Sequence, residues 1–209
     1  MSPGMWRALI TVRDEAKVSW LHRRGVRQAR AIEQRDLRLN LGCGPNLRPD
    51  WVNVDLVDAL PLDLRRALPF ADSSCVAVYS EHFFEHLDYP DPALAHLREV
   101  FRVLQPGGVL SMGVPDAEPV LRDYATGEAS RFEHALDQGW HPDWCDTRMH
   151  QVNFTFRNWG DHLWMYDFAT LADMLAAVGF VSVRRRPFDP SQDSEARRVG
   201  TLYVAAYKP

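Results

Sequence analysis

The stretch Ser80-Glu81-His82-Phe83-Phe84-Glu85-His86-Leu87 holds the densest chemistry in the chain. On a helix, His82, Glu85 and His86 at i, i+3 and i+4 share one face, and two imidazoles with a carboxylate at that spacing can converge on one divalent ion. Imidazole suits Mn²⁺, Zn²⁺ or Fe better than Mg²⁺. The competing reading is structural, with the histidine serving as a hydrogen-bonding residue at a helix start. Further on, four of the seven tryptophans (140, 144, 159, 164) fall within 25 residues, interleaved with short polar side chains. Aromatic faces beside such groups suit the apolar faces and hydroxyls of a sugar, and equally suit a lid packed on the core. His150 or His141, within that stretch, could serve as general base toward an acceptor hydroxyl. Asp116 follows Pro115 at the end of a strand, at the sheet edge where an acceptor would sit.

A second set of residues reads as a cofactor site. A short apolar strand over 39–41 runs into Gly42-Cys43-Gly44, and another over 51–54 ends on Asp55. Glycines just past a strand let a ligand approach the backbone, and a carboxylate at the tip of the next strand can accept both hydroxyls of a ribose. A dinucleotide site wants a third glycine packing a helix whose N-terminus faces a pyrophosphate. Here that position is Leu47, Pro45 and Pro49 interrupt the stretch, and too few residues separate Gly44 from Asp55 for a crossover helix. A nucleoside ligand without phosphate, such as S-adenosylmethionine, fits these limits. Cys43 reads as a small spacer between the glycines.

Leu-Asn-Leu-Gly-Cys-Gly at 39–44, Asp55, Leu-Pro-Phe at 68–70 and Leu-Gln-Pro-Gly-Gly-Val-Leu at 104–110 together resemble the class I S-adenosylmethionine-dependent methyltransferases of the type 11 group. The resemblance spans about residues 38 to 207 and implies an α/β Rossmann-like sheet. The segment between Asp55 and Asp63 departs from that pattern, being too short for the usual helix between strands two and three, so the sheet is expected to be trimmed there. It implies cofactor contacts at Asn40, Gly42, Cys43, Gly44, Asp55 and Ser80. It further implies that Asp63 bonds the adenine amino group while the backbone of Leu64 reads the ring. Asp72 is the competitor, though Asp72-Ser73-Ser74 reads as turn chemistry before strand four. The segment 81–87 is similar to the metal box of ubiquinone-pathway and small-RNA O-methyltransferases, with His82 in place of a glutamate. In the RNA enzymes a histidine before an aromatic run completes the set, which implies His162 as a fourth ligand beside His82, Glu85 and His86, for Mg²⁺ or Mn²⁺. Metal-free relatives carry Glu-His-Leu here too. The expected activity is O-methylation of a hydroxylated small molecule, a saccharide favoured. Alternatives are an RNA 3′ end, a catechol or quinol, and a scaffold that binds cofactor without turnover.

The elements that must position these residues follow from pattern and punctuation. Strands are expected over 60–63, 76–79, 109–112, 181–185 and 201–207, with helices over 91–104 and 169–178. The first helix should end at the Gln105-Pro106-Gly107-Gly108 turn and the second at Gly179. Residues 1–37 read as a helical extension and 38–209 as the methyltransferase domain, with 116–168 as a substrate-side insertion. Residues 1–38 carry nine basic side chains against four acidic, while the whole chain is at −4. That balance, without an RNA-binding pattern, argues against a nucleic-acid partner. A helix over 13–35 would turn Val18, Leu21, Val26, Ala29 and Ile32 to one side, for packing on the domain or on a second copy as a homodimer. Three scattered cysteines exclude a disulfide framework and a zinc ribbon. No apolar run approaches a membrane span or signal peptide, so a reduced cytoplasmic setting is the expectation.

Overall fold

The structure is a computed structural model that describes residues 3–32 and 35–209, with the backbone alone for residues 3–12. Seven strands form one sheet in the order β3-β2-β1-β4-β5-β7-β6. They are β1 (Leu37–Leu41), β2 (Val52–Asp55), β3 (Leu60–Pro61), β4 (Cys75–Glu81), β5 (Leu104–Pro115), β6 (Val181–Arg185) and β7 (Thr201–Tyr207). The first five run parallel, and β7 pairs antiparallel with both β5 and β6. Central strands covered on both faces need apolar side chains throughout, and Leu39, Leu41, Val54, Val78 and Val204 are fully or almost fully buried.

The sheet is trimmed where the short Gly44-to-Asp55 spacing requires it. β1 and β2 are neighbours joined by a loop instead of a helix, and no helix separates β2 from β3. Side-chain amides hold that loop. Asn40 and Asn53 stand opposite in register, and Asn40 donates to Asn53 Oδ1 (2.8 Å) and to the Asn46 carbonyl (2.9 Å). Asn53 in turn accepts from the Arg48 amide and donates to the Arg48 carbonyl. Asn40, expected to touch cofactor, thus has its amide engaged in shaping the turn.

α1 (Pro3–Arg30) closes the trimmed edge. His22, Gly25 and Ala29 are buried, flanked by half-buried Val18, Leu21 and Val26. His22 Nδ1 accepts the Asp63 amide (3.1 Å), so this histidine bears its proton on the other nitrogen. The face that sequence left open to a second copy therefore packs on its own domain.

On the other side of the sheet, α2 (Asp91–Val103) and α6 (Phe168–Val178) match their expected limits, with Gly179 left-handed at φ 113°. The Gln105-Pro106-Gly107-Gly108 segment differs from expectation. It lies within β5 as an irregularity, with Leu104 opposite Cys75 and pairing resuming at Val109 opposite Ala77. Residues 116–168 form α3 (Ala117–Thr126), α4 (Ser130–Asp137) and α5 (Arg148–Arg157) above the carboxyl edge of the sheet. Among the described residues no helix is long and apolar enough to cross a membrane.

The tightest point of the α1 packing generates a test. A Cβ on Gly25 would lie 2.1 Å from the Pro61 carbonyl oxygen, a backbone atom that cannot yield alone. Gly25→Ala should therefore destabilise the protein by about 1–3 kcal/mol despite the better helix propensity of alanine. Chemical denaturation should show an earlier midpoint, and an unchanged or later one would refute this packing.

Candidate active site

Gly42 and Gly44 make the turn after β1 with positive φ (65° and 49°). A Cβ at Gly42 would meet the Phe83 side chain at 2.5 Å, so the turn and the segment after β4 lie in contact. Asp55 Oδ2 accepts the Gly44 amide (2.9 Å) and Oδ1 accepts the Leu56 amide (2.7 Å), which fixes the carboxylate at the strand tip. Cys43 is buried, and burial with the Asp55 charge pushes its thiol up to about 11, so it is an unreactive spacer at neutral pH.

A cavity of about 290 Å³ opens beside this turn, lined by Asn40, Gly42, Cys43, Arg48, Tyr79 and Glu81 and closed by residues 190–194. Asp55, Asp63, Leu64 and Ser80 do not line it. The Asp63 carboxylate is engaged by Arg65 (2.8 and 3.0 Å) and Arg66 (3.0 Å), which bind it to the α1 side through Glu15 and Ser19. The Leu64 carbonyl faces His96 Nδ1 at 3.0 Å. Ser80 Oγ is buried without a hydrogen-bond partner among the described residues.

Sequence reasoning expected Asn40, Gly42 and Cys43 here but missed the charged and aromatic groups that build the rest of this cavity. The Arg48 guanidinium lies 3.4 Å over the Tyr79 ring and donates to the Gln192 carbonyl. The Tyr79 hydroxyl donates to Asp193 (2.9 Å), and Arg186 donates to both oxygens of the same carboxylate (2.6 and 2.7 Å). Buried Glu81 accepts the Tyr203 hydroxyl (3.0 Å) and the Ser194 amide (3.2 Å). The only available signal was the density of arginine and aspartate over 184–198, which reads as an ordinary polar loop.

The segment 82–86 is not the expected α-helix. His82 has φ 52°, and a single 3-10 turn covers Phe84–His86. Leu163 and Trp164 donate their amides to the Glu85 carbonyl (2.8 and 3.2 Å), which seats His162 against the turn. Ligand atoms of Glu85, His86 and His162 then all lie within 4.8 Å of one another. His86 Nδ1 contacts the Asp161 carbonyl (2.9 Å) and His162 Nδ1 the Thr155 carbonyl (2.8 Å). Carbonyls only accept, so each Nδ1 donates and each neutral ring keeps an unprotonated Nε2. Such backbone anchoring is how metal-ligating histidines are oriented.

His82 falls outside that group of three. Thr201 Oγ1 donates to the Arg197 carbonyl (2.6 Å) and so accepts from His82 Nε2 (2.8 Å), leaving His82 Nδ1 unprotonated 3.5 Å from Glu85 Oε1. Burial pushes His82 down to about 3 and Glu85 up to about 8. Both Glu85 oxygens are buried with no hydrogen-bond partner among the described residues, and His162 Nε2 stands 4.0 Å away. With Glu85 ionised, the cluster consists of acceptors facing acceptors. A cation or a proton satisfies it, so the residues present fit a divalent metal.

A second cavity, also about 290 Å³, lies under α4 and α5, with His82, His162, Arg131, Arg197, Trp140 and His141 among its walls. Of the histidines expected as bases, His141 contacts Gln151 and Thr155 through both ring nitrogens (3.1 Å each). His150 is outside the cavity, exposed in the first turn of α5 and tied to Asp146 (2.7 Å), which lies just before the Thr147 cap. Asp116 is likewise outside, capping α3 and paired with Arg185 (3.2 Å). Of the four clustered tryptophans, only Trp140 reaches the cavity.

Known proteins place this architecture. Residues 45–112 match the model of a methyltransferase domain family. A 73-residue stretch is 38% identical to an uncharacterised 37.1 kDa protein in a transposon of Streptomyces fradiae, covering 34% of this chain and 20% of that one. The match thus spans about a fifth of that relative's length. An S-adenosylmethionine-dependent methyltransferase from Archaeoglobus fulgidus superposes with TM-score 0.51 at 16% identity, over 97% of this chain and 94% of that one. A chain from a complex of the Haloferax volcanii Trm112 methyltransferase activator with a methyltransferase superposes with TM-score 0.50 at 18% identity, covering 94% of each. At these identities the structural likeness establishes the fold.

Asp193 offers the sharpest test of the site's construction. Asp193→Ala leaves the Arg186 guanidinium largely buried without its carboxylate, and breaking such a pair costs about 3–5 kcal/mol. Urea denaturation should show a large loss of stability, whereas Tyr79→Phe should lose only about 1 kcal/mol. Equal effects would mean that the ion pair does not hold the loop.

Proposed function

We propose that the chain is a class I S-adenosylmethionine-dependent methyltransferase of the type 11 group, as the family match over residues 45–112 and the seven-stranded fold support, and that it methylates a hydroxyl of a small molecule, a saccharide favoured. S-adenosylmethionine, the cofactor of this family, supplies an electrophilic methyl group on a sulfonium. The Gly42 and Gly44 turn gives its backbone cradle, since side chains are excluded there by conformation and, at Gly42, by Phe83. Asp55 would hold the ribose hydroxyls with the lone pairs its amide contacts leave free. With the Asp63 carboxylate engaged by two arginines, the adenine falls to the backbone around Leu64. Arg48 and Glu81, lining the adjoining cavity with opposite charges, suit the carboxylate and ammonium of the cofactor's amino-acid end.

Transfer follows from where the two cavities lie. The segment 190–200 walls both, and His82 of the acceptor cavity follows directly on Glu81 of the cofactor cavity. An acceptor oxygen aligned with the sulfonium methyl forms the new carbon–oxygen bond as the carbon–sulfur bond breaks. S-adenosylhomocysteine and a methyl ether result, and positioning supplies much of the rate. The hydroxyl proton goes to an unprotonated imidazole nitrogen. His162 Nε2 serves better than His150, which lies outside the cavity, or His141, whose two ring nitrogens both have partners, because it lines the cavity with its other nitrogen already fixed. A divalent cation bound by Glu85, His86 and His162 would occupy His162 Nε2 and act in its place, lowering the hydroxyl pKa by Lewis acidity so that the proton leaves to solvent. The observation that carries this reading is the Glu85, His86 and His162 cluster beside the cavity and next to the cofactor turn, whose buried carboxyl has no hydrogen-bond partner among the described residues.

Two measurements test the proposal. Asp55→Ala should weaken S-adenosylhomocysteine binding by about 10- to 100-fold in calorimetry while circular dichroism stays native. Unchanged affinity would remove the carboxylate from the cofactor site. Labelled methyl transfer should appear on saccharides in preference to RNA 3′ ends and catechols, fall on exhaustive chelation and return with Mn²⁺ or Mg²⁺. Glu85→Ala should not be rescued by either ion. Full turnover in excess chelator would leave the proton transfer to histidine alone.

A further inference from the structure

We infer that the acceptor is anionic, a hydroxylated small molecule bearing a carboxylate or a phosphate that Arg131 and Arg197 hold. The inference rests on reading the cavity under α4 and α5 as the acceptor site. Two arginines and four histidines line that cavity, and no aspartate or glutamate does among the described residues. This is notable in a chain with 28 acidic side chains against 24 basic ones.

The arginines approach from separate walls. Arg131 projects from α4, where its Nε donates to Asp123 (3.0 Å). Arg122 engages the same carboxylate (3.1 Å), so one negative charge faces two guanidinium groups. The terminal nitrogens of Arg131 have no hydrogen-bond partner among the described residues and come up against Gly200, with Nη1 3.6 Å from where a Cβ would stand. Arg197 reaches in from the loop before β7. Its Nη1 donates to the Glu81 carbonyl (2.7 Å), while the Glu81 carboxylate, bonded to Tyr203 and Ser194, stands 4.0 Å off. Nε and Nη2 of Arg197 have no partner among the described residues.

Both side chains are about a third exposed or less (26% and 34%). Guanidinium groups so far withdrawn from water, with open donor pairs, match the two-oxygen edge of a carboxylate or phosphate. A neutral sugar would leave those donors without a charged partner. Trp140 and Phe154, also on the wall, supply apolar faces for the rest of the ligand.

Calorimetry on the protein saturated with S-adenosylhomocysteine distinguishes the outcomes. The probes are glucose, glucuronate, glucose 6-phosphate and 3-hydroxybenzoate. At least one anion should bind about 10-fold or more tightly than glucose, and added salt should weaken it. Glucuronate or glucose 6-phosphate binding first would name carboxylate or phosphate as the recognised group. R131Q and R197Q should each weaken that anion by about 10-fold, and R131Q, which touches nothing in the cofactor cavity, should leave S-adenosylhomocysteine affinity unchanged. Glucose binding as well as every anion, or no probe binding, overturns the inference, and the wild-type comparison decides this even where a variant misfolds. Binding of 3-hydroxybenzoate alone keeps the anion and removes the saccharide. An anion that binds tightly but receives no labelled methyl keeps the inference and counts against the transfer reading.

Discussion

The buried carboxylate of Asp193 governs the carboxyl edge of the sheet. With Arg186 across both of its oxygens and the Tyr79 hydroxyl on one, it pins the β6–β7 loop onto β4 at a distance of 114 residues along the chain. Removing a carboxylate and a guanidinium from water is costly, and their attraction offsets that cost only in a fixed geometry. The loop is therefore held in one place, and that place makes it a wall of both cavities. Arg48 lies against Tyr79 and the loop carbonyl of Gln192, and Arg197 reaches Glu81, because the backbone between them is so fixed.

A second constraint is opposite in kind. Around Glu85 the polar groups are not satisfied by one another. Three imidazoles and the two oxygens of the Glu85 carboxyl face a common region, each ring oriented by a bond made behind it to Thr201, Asp161 or Thr155. Buried acceptors without donors are rare where nothing binds. The saturated network at Asp193 and the unsaturated one at Glu85 meet at the Glu81-His82 step, one element closing the site and the other keeping it receptive.

The central sheet and the two long helices packed on it could be read from sequence because local signals agreed. Gly179 ends α6 in a left-handed cap, and the Gly44-to-Asp55 spacing leaves no room for a helix. The Glu85, His86 and His162 grouping was legible through resemblance, although the reason given for it, an α-helical face, does not hold. His82 takes a positive φ where the chain passes Phe83 and Gly42, and the turn that follows is 3-10. The Tyr79, Arg186 and Asp193 network left no trace in local pattern, since a tyrosine in a strand and charges in a loop are common alone. Arg131 and Arg197 escaped for the same reason. Each is an ordinary surface-type residue until α4 and the β7 approach bring them onto one cavity.

The trimming of the sheet also bears on how copies of the chain can meet. One edge is β3, two residues long, with α1 laid against it. The other is β6, which carries Arg184 and Arg185, places Ser182 at φ 53° and breaks its register between Val181 and Arg184. Short length, a covering helix, a bulge and charge are the devices that stop an exposed strand from recruiting another. With both borders blunted, the sheet offers a neighbouring molecule little backbone to extend, which works against the ordered cross-strand stacking of aggregates.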